Sequence, residues 1–386
     1  MFKDNPKLKN IFFLGFLFSL HLAIVSYFNS SFLSFFSSEK NVSLIYILSS
    51  IFSLLVLFFV PTILKKIREC RFLLWVSGLS ALSLLLLATL KIPAIVIIIF
   101  IFYFALNYLI IFALDELVEI FSKNSSTGRV RGLYLTFVNL AWVISQAFSG
   151  KILSKYSFVA LYFIAFAIMI IFLFVAFFSF KNLKDPKYDK VLGWQSFKNF
   201  FANKNLARAY KINFLLQFFY AWMVIYTPIY LYAHLGFNWK EIGTIFMVML
   251  LPFILIQFPL GKYSDKIGER KMLIYGFLVA SLATLSLFFI KKHEVWIWAI
   301  MLFSTRLGVA TIEVMSDVYF FKHINKENDE FIAVYRNTAP VSYIFAPLIA
   351  FVAFYFIPSF NFIFLIMGTI MLYGVYLAST IKNSDI

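Results

Sequence analysis

Cysteine, histidine and acidic side chains are all scarce in this chain of 386 residues, and each shortage removes a class of function. The one cysteine, Cys70, excludes an intramolecular disulfide and any multi-cysteine metal site. Four scattered histidines supply neither a metal centre nor a nucleophile–base pair, and Lys322-His323 stands without partners at the edge of an apolar run. No enzyme chemistry, cofactor or metal is therefore expected. Charged residues make up only 13% of the chain, about half the share in a soluble domain. Glycine and proline are few, and no stretch shows the ten-residue alternation of a membrane-spanning barrel.

What fills the space is apolar: 62% of residues are hydrophobic, 52 of them phenylalanine. The apolar runs are continuous and long enough to cross a bilayer as helices, so the chain reads as an all-α integral membrane protein. Twelve runs can be drawn, at about 11–36, 42–60, 72–90, 94–121, 131–153, 157–180, 209–233, 240–260, 272–290, 295–320, 331–356 and 360–380. The first follows Lys3, Lys7 and Lys9 and is too long, and too poor in small residues at its end, for a cleaved leader. One sizeable break, 181–208, divides the chain into a six-helix bundle at 1–180, a linker and a six-helix bundle at 209–386. Within the linker, Trp194, Phe197, Phe200 and Phe201 alternate with Lys198, Lys204 and Arg208, the pattern of an amphipathic helix lying on a membrane surface.

The net charge of +16 would suggest nucleic acid in a soluble protein, but here it has a side. With the N-terminus inside, 25 of the 34 Lys and Arg fall in inside loops, tails and linker. That bias places both termini in the cytoplasm and the chain in the plasma (inner) membrane. Lipids are then its surroundings, nucleic acid is not a partner, and a monomer is expected.

The chain also repeats. Moved by 200 residues, Phe58, Lys66, Ile67, Glu69 and Leu73 meet Phe258, Lys266, Ile267, Glu269 and Leu273, and Arg71 meets Lys271. With one residue of drift, Glu116 meets Asp317 and Tyr134 meets Tyr335. Two copies of a six-span unit are how many secondary transporters are built. Span ten carries the most costly residues, Arg306, Glu313 and Asp317, which share one stripe of a helix at i, i+7 and i+11. Two readings compete for Arg306: a gate network with Arg336, Lys322 and Arg270, or a side chain facing the solute path to bind an anionic or polar group. Glu313 and His21 are both candidates to carry a coupling proton, and H+, Na+ and no coupling ion all stay open.

Six plus six spans, a basic linker, and Gly261-x-x-x-Asp265-Lys266-x-Gly268-x-Arg270-Lys271 between spans eight and nine resemble the major facilitator superfamily. The first-half copy departs from the family pattern, with Pro61, Lys65, Arg68 and Cys70 in place of key positions. The resemblance implies a carrier of small organic solutes working by alternating access. Proton-coupled efflux of amphipathic compounds or lipids is the variant reading. A channel, a scramblase or a transporter-derived sensor is the reading from another class. The resemblance also implies a latch, with Asp265 near Arg129 and Arg131 at the start of span five, and Arg270 or Lys271 near acids at the end of span ten. Spans one, four, seven and ten would line the path, offering His21, Asn29, Asn107, Asn213, Gln217, Tyr220 and Arg306. Spans five and eleven add Asn139, Trp142 and Asn337. The motifs of drug/proton antiporters, peptide/proton members and sugar porters are missing, so no subfamily is implied.

Overall fold

A computed structural model describes residues 6–67, 69–122, 127–180, 194–256, 260, 268–324 and 330–381. The chain divides into two compact units, Met1–Asp189 and Lys190–Ile386. Unit 1 holds α1 (Pro6–Ser26), α2 (Asn29–Ser34), α3 (Glu39–Ile67), α4 (Glu69–Thr89), α5 (Pro93–Ser122), α6 (Thr127–Lys155) and α7 (Phe158–Phe180). Unit 2 holds α8 (Trp194–Ala202), α9 (Lys204–Ile229, running on through a π-turn at Tyr230–His234), α10 (Trp239–Leu255) and α11 (Glu269–Leu287). It continues with α12 (Val295–Lys322), α13 (Glu330–Arg336), α14 (Thr338–Ala353) and α15 (Phe362–Ser379).

The packing inside each unit expresses the sequence repeat. In unit 1, α1 packs on α5, α6 and α7, α4 packs on α5 and α7, and α3 packs on α5. Unit 2 makes the same six contacts: α9 on α12, α14 and α15, α11 on α12 and α15, and α10 on α12. The two aligned glutamates open corresponding helices, Glu69 starting α4 and Glu269 starting α11, and both are buried. Large apolar side chains such as Phe58, Trp75, Phe178 and Phe356 point outward, as a lipid-facing surface requires.

Among the described residues nine helices are long and apolar enough to cross a membrane. The other three expected spans fall on α6, on the 17-residue α10 and on the α13–α14 pair. Three expectations change. The first run is interrupted at Tyr27–Phe28, with the short α2 beyond it. The eleventh run breaks at Asn337. Pro340, in the first turn of α14, has no N–H to offer the carbonyl four residues back, so a continuous ladder cannot pass this point. The Tyr335 carbonyl instead accepts from Thr338 Oγ1 at 2.9 Å. The amphipathic pattern of the linker runs to Arg208, but its helix ends at Ala202, because Asn203 caps α9 by accepting from the Asn205 and Leu206 amides. Its Phe200 is buried against Tyr210 and Phe331, so that part of its apolar face packs on protein.

The tightest crossing in unit 2 is between α11 and α12. A Cβ at Gly308 would strike the Gly276 carbonyl and the Ala280 backbone, and one at Gly276 would meet the Gly308 carbonyl at 3.0 Å. Backbone packed on backbone through small residues is how apolar helices associate when no hydrophobic drive separates them from lipid. Gly78, by contrast, faces open space. Gly308→Ala is therefore expected to destabilise the purified protein by about 1–3 kcal/mol. Gly78→Ala should be neutral or stabilising by up to about 1 kcal/mol through helix propensity. Thermal melting of the two variants side by side checks the contrast.

Candidate functional site

Arg306 sits near the middle of α12, two residues before the Gly308 crossing that fixes the helix in place. Its residue surface is 1% exposed. Among the described residues, Nε and both terminal nitrogens of its guanidinium have no hydrogen-bond partner. What it has are rings on α9: the guanidinium lies 4.9 Å from the centre of the Phe219 ring and 5.9 Å from that of Tyr220. A desolvated cation on aromatic faces gains roughly 2 kcal/mol. That falls short of the several kcal/mol of residual desolvation cost and leaves five N–H donors unanswered. Such a group can take a carboxylate, phosphate or sulfonate in its planar fork.

The rest of the charged stripe behaves differently. Asp317 lies about 16 Å further along the helix axis. It accepts from Tyr335 Oη at 3.1 Å and pairs with Arg336 at 3.6 Å. Tyr335 itself is stacked on Phe320, ring centres 4.0 Å apart. At the end of α12, Lys322 Nζ reaches Glu269 Oε1, the buried glutamate that opens α11, at 2.5 Å. So the network expected around Arg306 does form with Arg336 and Lys322, but a helix-end away from it and without it. The stripe splits into a satisfied lower part and an unsatisfied centre. Glu313 is half-buried between the two and has interactions of its own.

Of the proposed latch, Gly261, Asp265 and Lys266, and the side chains of Arg129 and Arg131, lie outside the described residues. Gly268 is described and holds φ +83°, a backbone conformation that favours glycine and delivers the chain into α11. Arg270 and Lys271 follow on the exposed side of the first turn. The pair Glu269–Lys322 joins these same segments with the opposite polarity to the one expected of Arg270 or Lys271 with span-ten acids.

Several polar residues expected along a solute path are engaged within their own unit. Asn213 Nδ2 donates to Thr338 Oγ1 at 2.7 Å, which ties α9 to α14. Asn29 Oδ1 accepts from Tyr162 Oη at 2.8 Å, and Gln146 Nε2 donates to the Ala23 carbonyl at 2.7 Å. Trp142 packs edge-on to Tyr27. Asn139, Gln217 and Asn337 are half-buried, Asn337 at the start of α14 without a side-chain capping bond. His21 and Asn107 come together with Tyr103, which was not anticipated because tyrosine is common in this chain and gives no signal by itself. On α9, the buried Nε1 of Trp222 is also without a hydrogen-bond partner among the described residues.

The Glu269–Lys322 pair has a testable cost. Lys322→Met leaves a carboxylate buried alone and is expected to lower stability by about 2–3 kcal/mol, less than for a fully buried pair because Lys322 is partly exposed. Adding Glu269→Leu should restore most of the loss, and a double-mutant cycle by thermal melting measures the coupling.

Comparison with known proteins follows the same division. Residues 214–383 match the model of the Major Facilitator Superfamily. No curated protein sequence matches the chain significantly. The fold is similar to that of a crystal structure of the nucleoside transporter NupG, with a TM-score of 0.76 at 11% identity over 96% of this chain and 98% of that one. It is also similar to the human organic anion transporter MFSD10 (TETRAN), with a TM-score of 0.67 at 14% identity over 97% of this chain and 99% of that one. A family-model match over most of unit 2 and a shared fold over nearly the whole length make this chain similar to transporters of the Major Facilitator Superfamily.

Proposed function

We propose that this multi-pass transporter is a secondary carrier for a small organic solute bearing an anionic group, which moves by alternating access, and that Arg306 is the group that holds the anion. One observation carries the reading: a buried guanidinium, laid on the faces of Phe219 and Tyr220, has no hydrogen-bond partner among the described residues. Charged side chains inside membrane helices are costly and are kept where they face a partner or a path. The structural alternative is a gate network with Arg336, Lys322 and Arg270, and the pairs Arg336–Asp317 and Lys322–Glu269 form without Arg306. The rings beside the guanidinium suit a solute with an apolar or planar body next to its charge. MFSD10, whose name specifies organic anions, shares the fold at 14% identity, which lends the reading company rather than proof. The Lys/Arg distribution supports a plasma (inner) membrane orientation with both termini, and the Lys322 end of α12, on the cytoplasmic side.

In proteoliposomes, uptake of labelled aromatic and aliphatic carboxylates should be saturable and trans-stimulated for at least one member, and weaker for its neutral amide. For that solute, Arg306→Gln is expected to raise KM about 100-fold, equivalent to about 2.7 kcal/mol. Arg306→Lys should recover only part, since a point charge lacks the bidentate fork. Melting of Arg306→Gln should stay level or rise, because an unpaired buried charge has been removed. Lower melting with unchanged uptake would make Arg306 structural and end the proposal.

A further inference from the structure

The outward side of α4 carries a glycine that no packing contact requires. Arg71, Leu74, Trp75, Gly78, Leu79 and Leu82 recur at i, i+3, i+4, i+7, i+8 and i+11, one stripe of the helix. Leu73, Ser77, Ser80 and Leu84 form the buried side, where α4 packs on α5 and α7. On the outward stripe Trp75, Leu79 and Leu82 are exposed, and a Cβ added at Gly78 would meet nothing within 4 Å. Glycine weakens a helix interior, and at Gly276 and Gly308 the close approach of two backbones accounts for it. At Gly78 no such approach exists.

Unit 2 shows the same surface without the glycine. Over 271–280 in α11, exposed, half-buried and buried positions follow in the same order as over 71–80 in α4. Arg71 is matched by Lys271, Leu74 by Ile274, Trp75 by Tyr275, Leu79 by Val279 and Leu82 by Leu282, each like for like. Gly78 is matched by Leu278. With no side chain at 78, a groove of about 290 Å³ opens in unit 1, lined by Arg71, Leu74, Trp75, Gly78 and Leu79.

The groove has a polar end and an apolar end. Arg71 lies in the first turn of α4, at the edge of a candidate span, about 10 Å along the axis from Gly78. It is exposed and has no hydrogen bond or ion pair among the described residues. Lys65, Lys66 and Arg68 precede it in the chain, and a basic cluster at the end of a membrane helix attracts anionic headgroups. Beyond Arg71 the lining is carbon. A guanidinium fork at the boundary, with an apolar notch running inward from it, matches a phosphate joined to an acyl chain. A second helix fits worse. Close helix pairs use small residues four apart, and Gly78 has Leu74 and Leu82 at that spacing. A two-fold contact between copies on this face would also set Arg71 against Arg71.

We propose that the α4 groove binds one anionic phospholipid, its phosphate on Arg71 and an acyl chain in the notch at Gly78. The Lys/Arg distribution puts this lipid in the cytoplasmic leaflet. The site does not depend on Arg306 or on the solute carried.

Melting of the full-length protein in detergent, titrated with dioleoylphosphatidylglycerol or dioleoylphosphatidylcholine, tests the proposal. The anionic lipid should stabilise at a midpoint concentration roughly tenfold below that of the neutral one. Arg71→Gln should raise the anionic midpoint by about tenfold. Gly78→Leu, which installs the side chain found in unit 2, should do the same although every charge is kept. Both variants should melt like the wild type before lipid is added, and Lys271→Gln should leave the midpoint unchanged. Should Gly78→Leu fail to fold, Trp75→Ala removes a wall of the groove at an exposed position and should weaken the anionic lipid in its place. Glycerol 3-phosphate, a headgroup without chains, should have no effect at the same concentrations. Equal midpoints for the two lipids would mean ordinary boundary lipid. An effect of Arg71→Gln with none of Gly78→Leu or Trp75→Ala would mean attraction to an open charged surface. A wild-type dimer that Gly78→Leu converts to monomer would mean that a second copy fills the groove. Any of these results, or stabilisation by glycerol 3-phosphate alone, overturns the proposal.

Discussion

A guanidinium with no hydrogen-bond partner among the described residues, held inside an apolar helix bundle, is the constraint on which the rest of unit 2 depends. Placing Arg306 at the centre of a membrane helix costs roughly 2.5–3.5 kcal/mol even on the lenient scale of helix insertion. The faces of Phe219 and Tyr220 return part of that. The remainder is carried by packing elsewhere, and the α11–α12 crossing shows how. Gly276, Ala280 and Gly308 let two backbones touch, so α12 is held firmly next to the residue that destabilises it. An arginine on a loosely packed helix would turn its head toward the nearest water or carboxylate. On this helix it lies against Phe219 and Tyr220.

The two units are built to one plan and filled differently. The same six helix contacts recur in each, and Glu69 and Glu269 begin corresponding helices from buried positions. At the matching level of α5 and α12, however, unit 1 has the neutral side chains of Tyr103 and Asn107, and unit 2 has a cation on aromatic rings. Duplication fixes where a side chain of the central helix points, because that depends on backbone packing. It leaves the chemistry at that point free to diverge, because the plan is indifferent to which polar group stands there.

Much of this was legible from the chain alone. Continuous apolar runs require helices, the repeat requires two units, and the i, i+7, i+11 spacing requires that Arg306, Glu313 and Asp317 share a face. Periodicity gives a face but no neighbour. It could not say that Asp317 would be claimed by Arg336 and Tyr335, which lie 19 and 18 residues further on across a helix break. Nor could it say that Asn213 and Asn29 would be used in packing through Thr338 and Tyr162. The break at Asn337 was readable in principle from Pro340, but hydropathy runs straight across it. Tyr103 was hidden for a different reason: one tyrosine among 21 is noticeable only once a histidine and an asparagine stand beside it.

Hydrogen-bond satisfaction is what separates machinery from scaffold along α12. The lower charges are matched, Lys322 with Glu269 and Arg336 with Asp317, so each lowers the energy of the resting fold and asks for nothing more. Arg306 is unmatched among the described residues. A buried charge without a counter-charge costs more than an open hydroxyl or amide, and its retention fits a group whose balance is restored during the working cycle. In unit 1, Gln146, Asn29 and Ser145 find partners on neighbouring helices. A carrier must release its cargo as well as bind it. Sites that the cargo completes, and that the protein alone leaves incomplete, tie the stability of the loaded state to the presence of the cargo.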